Sequence, residues 1–357
     1  MSKKIKKILK GIGIFLGTVV GLAVLFVLVL TVTEFRPKDV EEIEILNEAS
    51  QKVSVGDSLK VMSWNVGYAG LGENADFFMD GGASVASADK EEILANVQAI
   101  VTEIESENPD VVLLQEVDVN STRSHYVKMK SMLDEALPQY ESTFAANYKT
   151  LWVPYPWPNL GKIHSGIVTY SRLDQISSER VALPCPFSYP ISLCNLKRCL
   201  MVNRIPVEGS DKELVIVNLH LEAYDSGEGK EAQTKQLKEL LLSETQKGNY
   251  VIAGGDFNQI FSNVDASKFP QTSEDHWMPG SIDVNEFEDL QMIMDEDTPS
   301  CRSLDKPLAG SDKDTFQYYV IDGFILSSNV KVERAEVMDL EFKNADHNPF
   351  LLEVELQ

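Results

Sequence analysis

The chain has 357 residues, 43% hydrophobic and 24% charged, the composition of an ordinary globular protein with room for a large core. It carries 32 basic against 55 acidic residues, a formal net charge of −23, and all of the acid lies from Glu34 onward. Such a surface repels long duplex DNA, whose binding depends on Lys and Arg neutralising phosphates, and this weighs against a nuclease without excluding one.

In chain order, residues 1–10 form a basic segment with five lysines, read as cytoplasmic. Residues 11–33 carry no charge, and 23 residues of helix reach about 34 Å, enough to cross a hydrocarbon core. The lysines precede this span and none follows it directly, which predicts an uncleaved single-pass anchor in the cell membrane with the rest of the chain outside. A cleaved secretory signal fits less well, because the apolar run is long and "LTVTEF" is a poor cleavage site. The acidic stretch 34–58 reads as a linker, and a single α/β domain is expected over 59–357.

Within that domain, β-rich runs such as "LKVMSWNV", "DVVLLQEV", "ELVIVNLHL", "NYVIAGG" and "YYVIDGFIL" are bounded by Gly, Pro, Asn or Asp. "KEEILANVQAIVTEIESE" and "KEAQTKQLKELLLSE" have helical periodicity, and Asn108-Pro109 closes the first. "NYKTLWVPYPWPNLGKIH" and residues 261–316 read as long loops. Four cysteines allow one or two disulfides in an outside domain, or buried free thiols.

Several apolar runs end on a residue that is costly to bury unless paired: Asn65, Glu116, His220, Asp256 with Asn258, and Asp322, while Asp346 and His347 precede the last strand. Singly, each has a structural explanation in a turn or an ion pair. Together they are carboxylates, amides and histidines with no comparable nucleophile, an inventory suited to a hard, oxygen-liganded cation and attack by water. The pair Gly254-Gly255 matches neither phosphate-loop pattern and reads as permitting a tight turn where the strand meets the loop.

In order and spacing, "SWNV" (63–66), "LLQEVD" (113–118), "SGIVTYSR" (165–172), "NLHL" (218–221), "GGDFN" (254–258), "IDGF" (321–324) and "DHNPF" (346–350) resemble the endonuclease/exonuclease/phosphatase superfamily of deoxyribonuclease I-like proteins. The resemblance implies an α/β four-layer sandwich, two mixed β-sheets packed face to face with outer helices. It also implies a metal-dependent phosphoric ester hydrolase. Glu116 looks like the principal Mg²⁺ ligand, with Mn²⁺ as the other candidate ion, Asn65 beside it and Asp346 helping to hold metal. Asp256 resembles the base for the attacking water and Asn258 the holder of a phosphate oxygen. His220 and His347 look like phosphate-binding or proton-donating groups, and Asp322 like the carboxylate that orients one of them. His164 stands where abasic-site nucleases carry Tyr and is expected to contact the substrate, with Arg172 or Arg198 as the phosphate clamp.

Three readings of the substrate stay open. The first is a membrane-anchored phosphodiesterase or phosphatase acting on lipid head groups or small phosphate esters, with Trp152, Tyr155 and Trp157 at the interface. The second is a surface nuclease, and the third a non-catalytic module that binds a phosphate ligand.

Overall fold

The computed structural model describes residues 2–357 except 226, 275 and 288. Residue 1 of the basic segment and residues 275 and 288 of the long loop therefore lie outside the described residues. The chain begins with helix α1 (Lys3–Val32), long and apolar enough to cross a membrane. Then come β1 (Val40–Glu42), β2 (Val53–Ser54), β3 (Ser58–Asn65), α2 (Lys90–Glu107), β4 (Val111–Asp118), α3 (Met129–Ala136), β5 (Glu141–Val153) and β6 (Gly161–Ser171). The second half runs β7 (Ser177–Ala182), β8 (Cys199–Glu208), β9 (Glu213–His220), α4 (Glu228–Gln246) and β10 (Tyr250–Asp256). Short strands β11 (Gln259–Phe261), β12 (Gly280–Ile282), β13 (Leu290–Ile293), β14 (Cys301–Arg302) and β15 (Tyr318–Tyr319) lead to β16 (Asp322–Ser327), β17 (Val330–Val337) and β18 (Phe350–Leu356).

Most strands form two mixed sheets, ordered β1-β7-β8-β9-β10-β16-β13 with β2 on β8, and β17-β18-β3-β4-β6-β5, while β11 pairs with β12 and β14 with β15 in two small sheets of their own. The two large sheets face each other across a core of Val61, Leu113, Ile216, Ile252, Phe324 and Phe350. Outside, α2 and α3 cover the second sheet through Met62, Trp64, Ile100, Leu114 and Leu133, while α4 covers the first through Leu237, Leu241, Val217 and Ala253. Two sheets and two helical layers make the four-layer sandwich, and the two-residue period of each strand sorts its side chains between layers.

That period decides where the polar ends go. Val61 and Asn65 share parity on β3, Ile216 and His220 on β9, Ile252 and Asp256 on β10, and Phe324 and Asp322 on β16. Since the apolar partner of each pair lies in the core between the sheets, each polar residue belongs to that same inner face, at the rim. Asp256 pairs in register with His220 on one side and Asp322 on the other.

Some expectations fail in detail. Residues 34–58 are no free linker: β1 pairs with β7, β2 with β8, and Leu46 exchanges two backbone hydrogen bonds with Ser142, so the acidic stretch is a strap on the domain. The aromatic-proline loop is shorter than expected, because β5 continues to Val153 and β6 starts at Gly161. Gly254 and Gly255 lie inside β10 rather than turning the chain; a Cβ on Gly254 would meet Phe324 at 2.3 Å and one on Gly255 the Leu219 carbonyl oxygen at 2.0 Å. They serve close approach, and the turn falls on Asn258 at φ 50°. All four cysteines are free thiols.

Candidate active site

The rim residues surround a cavity of about 390 Å³ lined by Asn65, Glu116, Arg198, His220, Asp256, Asn258, Asp346 and His347, among others. Asp322 stands behind His347, its Oδ2 2.7 Å from the imidazole Nδ1. The sequence left both histidines open as its partner; the geometry selects His347. Burial opposes charge on this ring, yet Asp322 and Cys301 beside it raise its proton affinity well above the ordinary value, which favours the protonated ring. Trp64 Nε1 donates to the His347 carbonyl at 2.8 Å and fixes the backbone there.

Asp256 is held on both oxygens. Asn258 N donates to Oδ1 at 2.8 Å and Asn65 Nδ2 to Oδ2 at 3.0 Å, while His220 Nε2 lies 3.4 Å and His347 Nε2 3.8 Å from Oδ2. Burial raises its affinity for a proton, as does the neighbouring Asp322, against the opposing pull of His347. His220 goes the other way. Burial, Arg198, His347 and Arg123 hold it well below its ordinary value, so its ring is neutral, and its buried Nδ1 has no partner among the described residues. The two histidines thus differ in charge because one has a carboxylate behind it and the other an arginine nearby.

Glu116 reaches the site by a different device. The pairing of β4 with β6 shifts between Leu114 and Val117, which both pack under the helices, and the extra residue at this bulge puts Glu116 at φ 56°. Its Oε2 lies 3.4 Å from Arg123 Nη1; Arg123 is held by Asp118 at 3.0 Å and stacks 3.8 Å over the Tyr68 ring. Asp346 Oδ1 is buried without a partner among the described residues, and burial pushes its carboxyl up to about 7, His347 opposing and Glu116 adding to the rise. An orphaned carboxylate oxygen near a second, 27% exposed carboxylate fits a hard divalent cation that supplies the missing partner. Ligand-type atoms also approach within 4.8 Å in the sets Cys301, Asp346, His347 and Asp256, Asp322, His347. Both depend on His347, whose Nδ1 is committed to Asp322 and whose charge opposes a cation, so the Glu116 and Asp346 side is the better seat.

Two of the expected substrate-binding residues, Arg172 and His164, lie outside the cavity lining. Arg172 follows β6, and because β6 runs antiparallel to β4 it sits beside Asp110 at the opposite rim, bonded to Asn108 and over the Tyr140 ring. His164 faces Phe144, one residue out of phase with Ser165, which does line the cavity. Arg198 lines it but is bound to Glu222 at 3.2 Å and to the His220 carbonyl at 3.1 Å. Asn258 spends one amide hydrogen on Leu221 O at 3.0 Å, leaving the other for a ligand. Tyr224, whose hydroxyl donates to Asp80 Oδ1 at 3.1 Å across the cavity, has no signal in the sequence, since the two residues lie on unrelated loops.

A family model described as "Endonuclease/Exonuclease/phosphatase family" matches residues 62–336, more than half of the chain. The chain belongs to that family. Among solved structures of similar fold is an endonuclease/exonuclease/phosphatase from Beutenbergia cavernae, 19% identical over 84% of this chain and 72% of that one, at TM-score 0.55. A family protein from Leptotrichia buccalis is 16% identical over 84% of this chain and all of that one, at 0.53. The human Nocturnin catalytic domain, solved with a bound sulfate anion, is 16% identical over 88% and 98%, at 0.52. No curated protein matches the sequence. For this endonuclease/exonuclease/phosphatase member, such identities speak to the fold, and the site must be argued from its own residues.

Proposed function

We propose that this chain is a divalent-metal-assisted hydrolase of phosphate esters, held by α1 in the cell membrane with its N-terminus in the cytoplasm and its catalytic domain outside. The observation that carries the reading is the convergence of Asn65, His220, Asp256 and the His347–Asp322 pair on one inner rim. Glu116 and Asp346 would hold Mg²⁺, or Mn²⁺ in its place, and Asn65 lies beside them; the ion would supply positive charge to the phosphate oxygens. Asp256, fixed by Asn65 and the Asn258 amide, takes the proton of the attacking water as its oxygen bonds to phosphorus. His347 keeps a proton on the face towards Asp256, and neutral His220 offers a ring N–H. These donors meet the charge that develops as the bond to the leaving oxygen breaks, and His347 gives that oxygen its proton. The free hydrogen of the Asn258 amide and the Arg198 side remain to orient the ester.

The acidic surface favours a small or neutral-surface substrate over long nucleic acid. The test is hydrolysis of bis-p-nitrophenyl phosphate by the full chain in detergent, with Mg²⁺, Mn²⁺ or chelator, beside a DNA substrate. Metal-dependent release of nitrophenol, abolished in His347→Ala, is expected. Turnover that ignores chelator would refute the reading, and faster cleavage of DNA than of the small ester would favour a surface nuclease.

A further inference from the structure

The end of α1 is not a free stalk. Thr31 Oγ1 lies 3.3 Å from the Tyr189 hydroxyl, and Arg36 Nη2 donates to the Thr31 carbonyl at 3.2 Å. Glu34 pairs with Lys197 at 3.2 Å, and the Phe35 ring lies 5.7 Å from Lys149 Nζ and 5.6 Å from the Arg180 guanidinium. The helix exit is therefore fixed against β5 and the segment before β8.

The same two segments carry the most exposed large apolar side chains of the domain. Trp157 is 90% exposed and Tyr155 70%, beyond the end of β5, and Tyr189 and Ile191 are 61% and 60% exposed on the other segment. Tyr155 touches Phe78 edge-on, which accounts for part of one ring. Among the described residues no ring packs on Trp157 in this way. A helix rises about 1.5 Å per residue, so Thr31, two residues short of the cap, lies within about 3 Å of the helix end. Whatever bonds to Thr31 shares the depth at which a spanning helix leaves hydrocarbon, the level that Trp and Tyr favour.

These segments also wall the cavity. Tyr148 and Leu160 line it from the β5 and β6 side, Phe187 and Leu196 from the other. We propose that the loop bearing Tyr155 and Trp157, with Tyr189 and Ile191, seats in the interface of the bilayer that α1 crosses, and that the cavity takes the head group of a membrane phospholipid. This rests on the reading of α1 as a membrane span and of the cavity as a phosphoesterase site. It selects one of the substrates left open, since a cavity walled by interface-seated segments meets lipid head groups at a concentration that no soluble ester matches.

The experiment uses the full chain reconstituted in vesicles of phosphatidylcholine and phosphatidylglycerol, comparing wild type with Trp157→Ser/Ile191→Ser. Release of phosphorylated or free head group should fall about tenfold or more in the variant, while hydrolysis of bis-p-nitrophenyl phosphate stays within about twofold. Brominated lipids should quench a part of the wild-type tryptophan emission that the variant lacks. Head-group release unchanged in the variant, or no quenching attributable to Trp157, overturns the interface seat. A wild type that turns over the soluble ester but no phospholipid overturns the lipid assignment alone. A wild type inactive on both defeats the phosphoesterase reading and the head-group assignment with it, and quenching then still decides the seat.

Discussion

His347 Nδ1 and Asp322 Oδ2 meet at 2.7 Å behind the cavity wall, both side chains almost wholly buried. Burial opposes charge on the ring, and Asp322 outweighs it, raising the proton affinity of His347 well above the ordinary value. Asp322→Asn keeps the shape and removes the charge. We expect kcat to fall about 10²- to 10⁴-fold, the range typical of a lost acid or base function. The alkaline limb of the rate profile should also move to lower pH, because a ring with a lower proton affinity loses its proton sooner as pH rises. A kcat profile against pH on the soluble ester checks both, and an unmoved limb would assign the acid to another group.

Glu116 Oε2 lies 3.4 Å from Arg123, and Asp346, opposite in charge to His347 and Arg302, keeps a buried Oδ1 with no hydrogen-bond partner among the described residues. If they hold the ion, Mg²⁺ should raise the melting temperature of the wild type by mass action on the folded state. In Glu116→Gln the Mg²⁺ concentration that gives an equal rise should increase at least about 10-fold. Calorimetry in a Mg²⁺ series measures this without reference to activity. A Glu116→Gln series that superimposes on wild type would move the ion to one of the sets that include His347.

The legible part of this site is the part governed by strand period. Asn65, His220, Asp256 and Asp322 could be found because each ends an apolar run and shares parity with a core residue of its own strand. Glu116 was equally visible as a residue type, but the bulge that aims it was not, since a bulge leaves no mark on composition. Arg172 misled because a strand end looks the same at either rim; only the antiparallel course of β6 against β4 reveals that it points away. The strap 34–58 reads as a linker on its acidity, whereas its ties are mainly backbone hydrogen bonds, to which acidity is no guide. Helix α3 is too short for its periodicity to stand out.

Away from the site, Glu244 offers a stability test with a definite sign. Although burial opposes ionisation, Arg204, Lys247 and Asn249 hold its carboxyl down at about 2, against an ordinary 4.5. A depressed carboxylate stabilises the fold above its unfolded value and loses that contribution as pH falls towards its folded one. The window is therefore about pH 4.5 down to about 2. Glu244→Gln should cost about 1–2 kcal/mol at neutral pH, allowing for solvent screening, and the gap to wild type should close across that window. Urea melts at a series of pH values measure it, and a gap that widens on acidification would mean that Glu244 is not paired as described.

Gly255 joins the fold to the site most directly. It lies at φ 150°, and its missing Cβ would stand 2.0 Å from the Leu219 carbonyl oxygen, a backbone atom with no rotamer by which to yield. Leu219 precedes His220 and Gly255 precedes Asp256, so relief of the clash must part β9 and β10 where those two side chains are in register. Gly255→Ala is expected to cost about 2–4 kcal/mol and to remove most activity even in the folded fraction. Gly209→Ala separates strain from clash, because Gly209 is also left-handed, at φ 79°, but has nothing within 4 Å of a Cβ. That control should lose only about 1 kcal/mol and keep its turnover. Chemical denaturation and turnover per folded molecule decide the matter: equal losses in the two variants would show that backbone strain, rather than the approach of β9 to β10, fixes glycine at position 255.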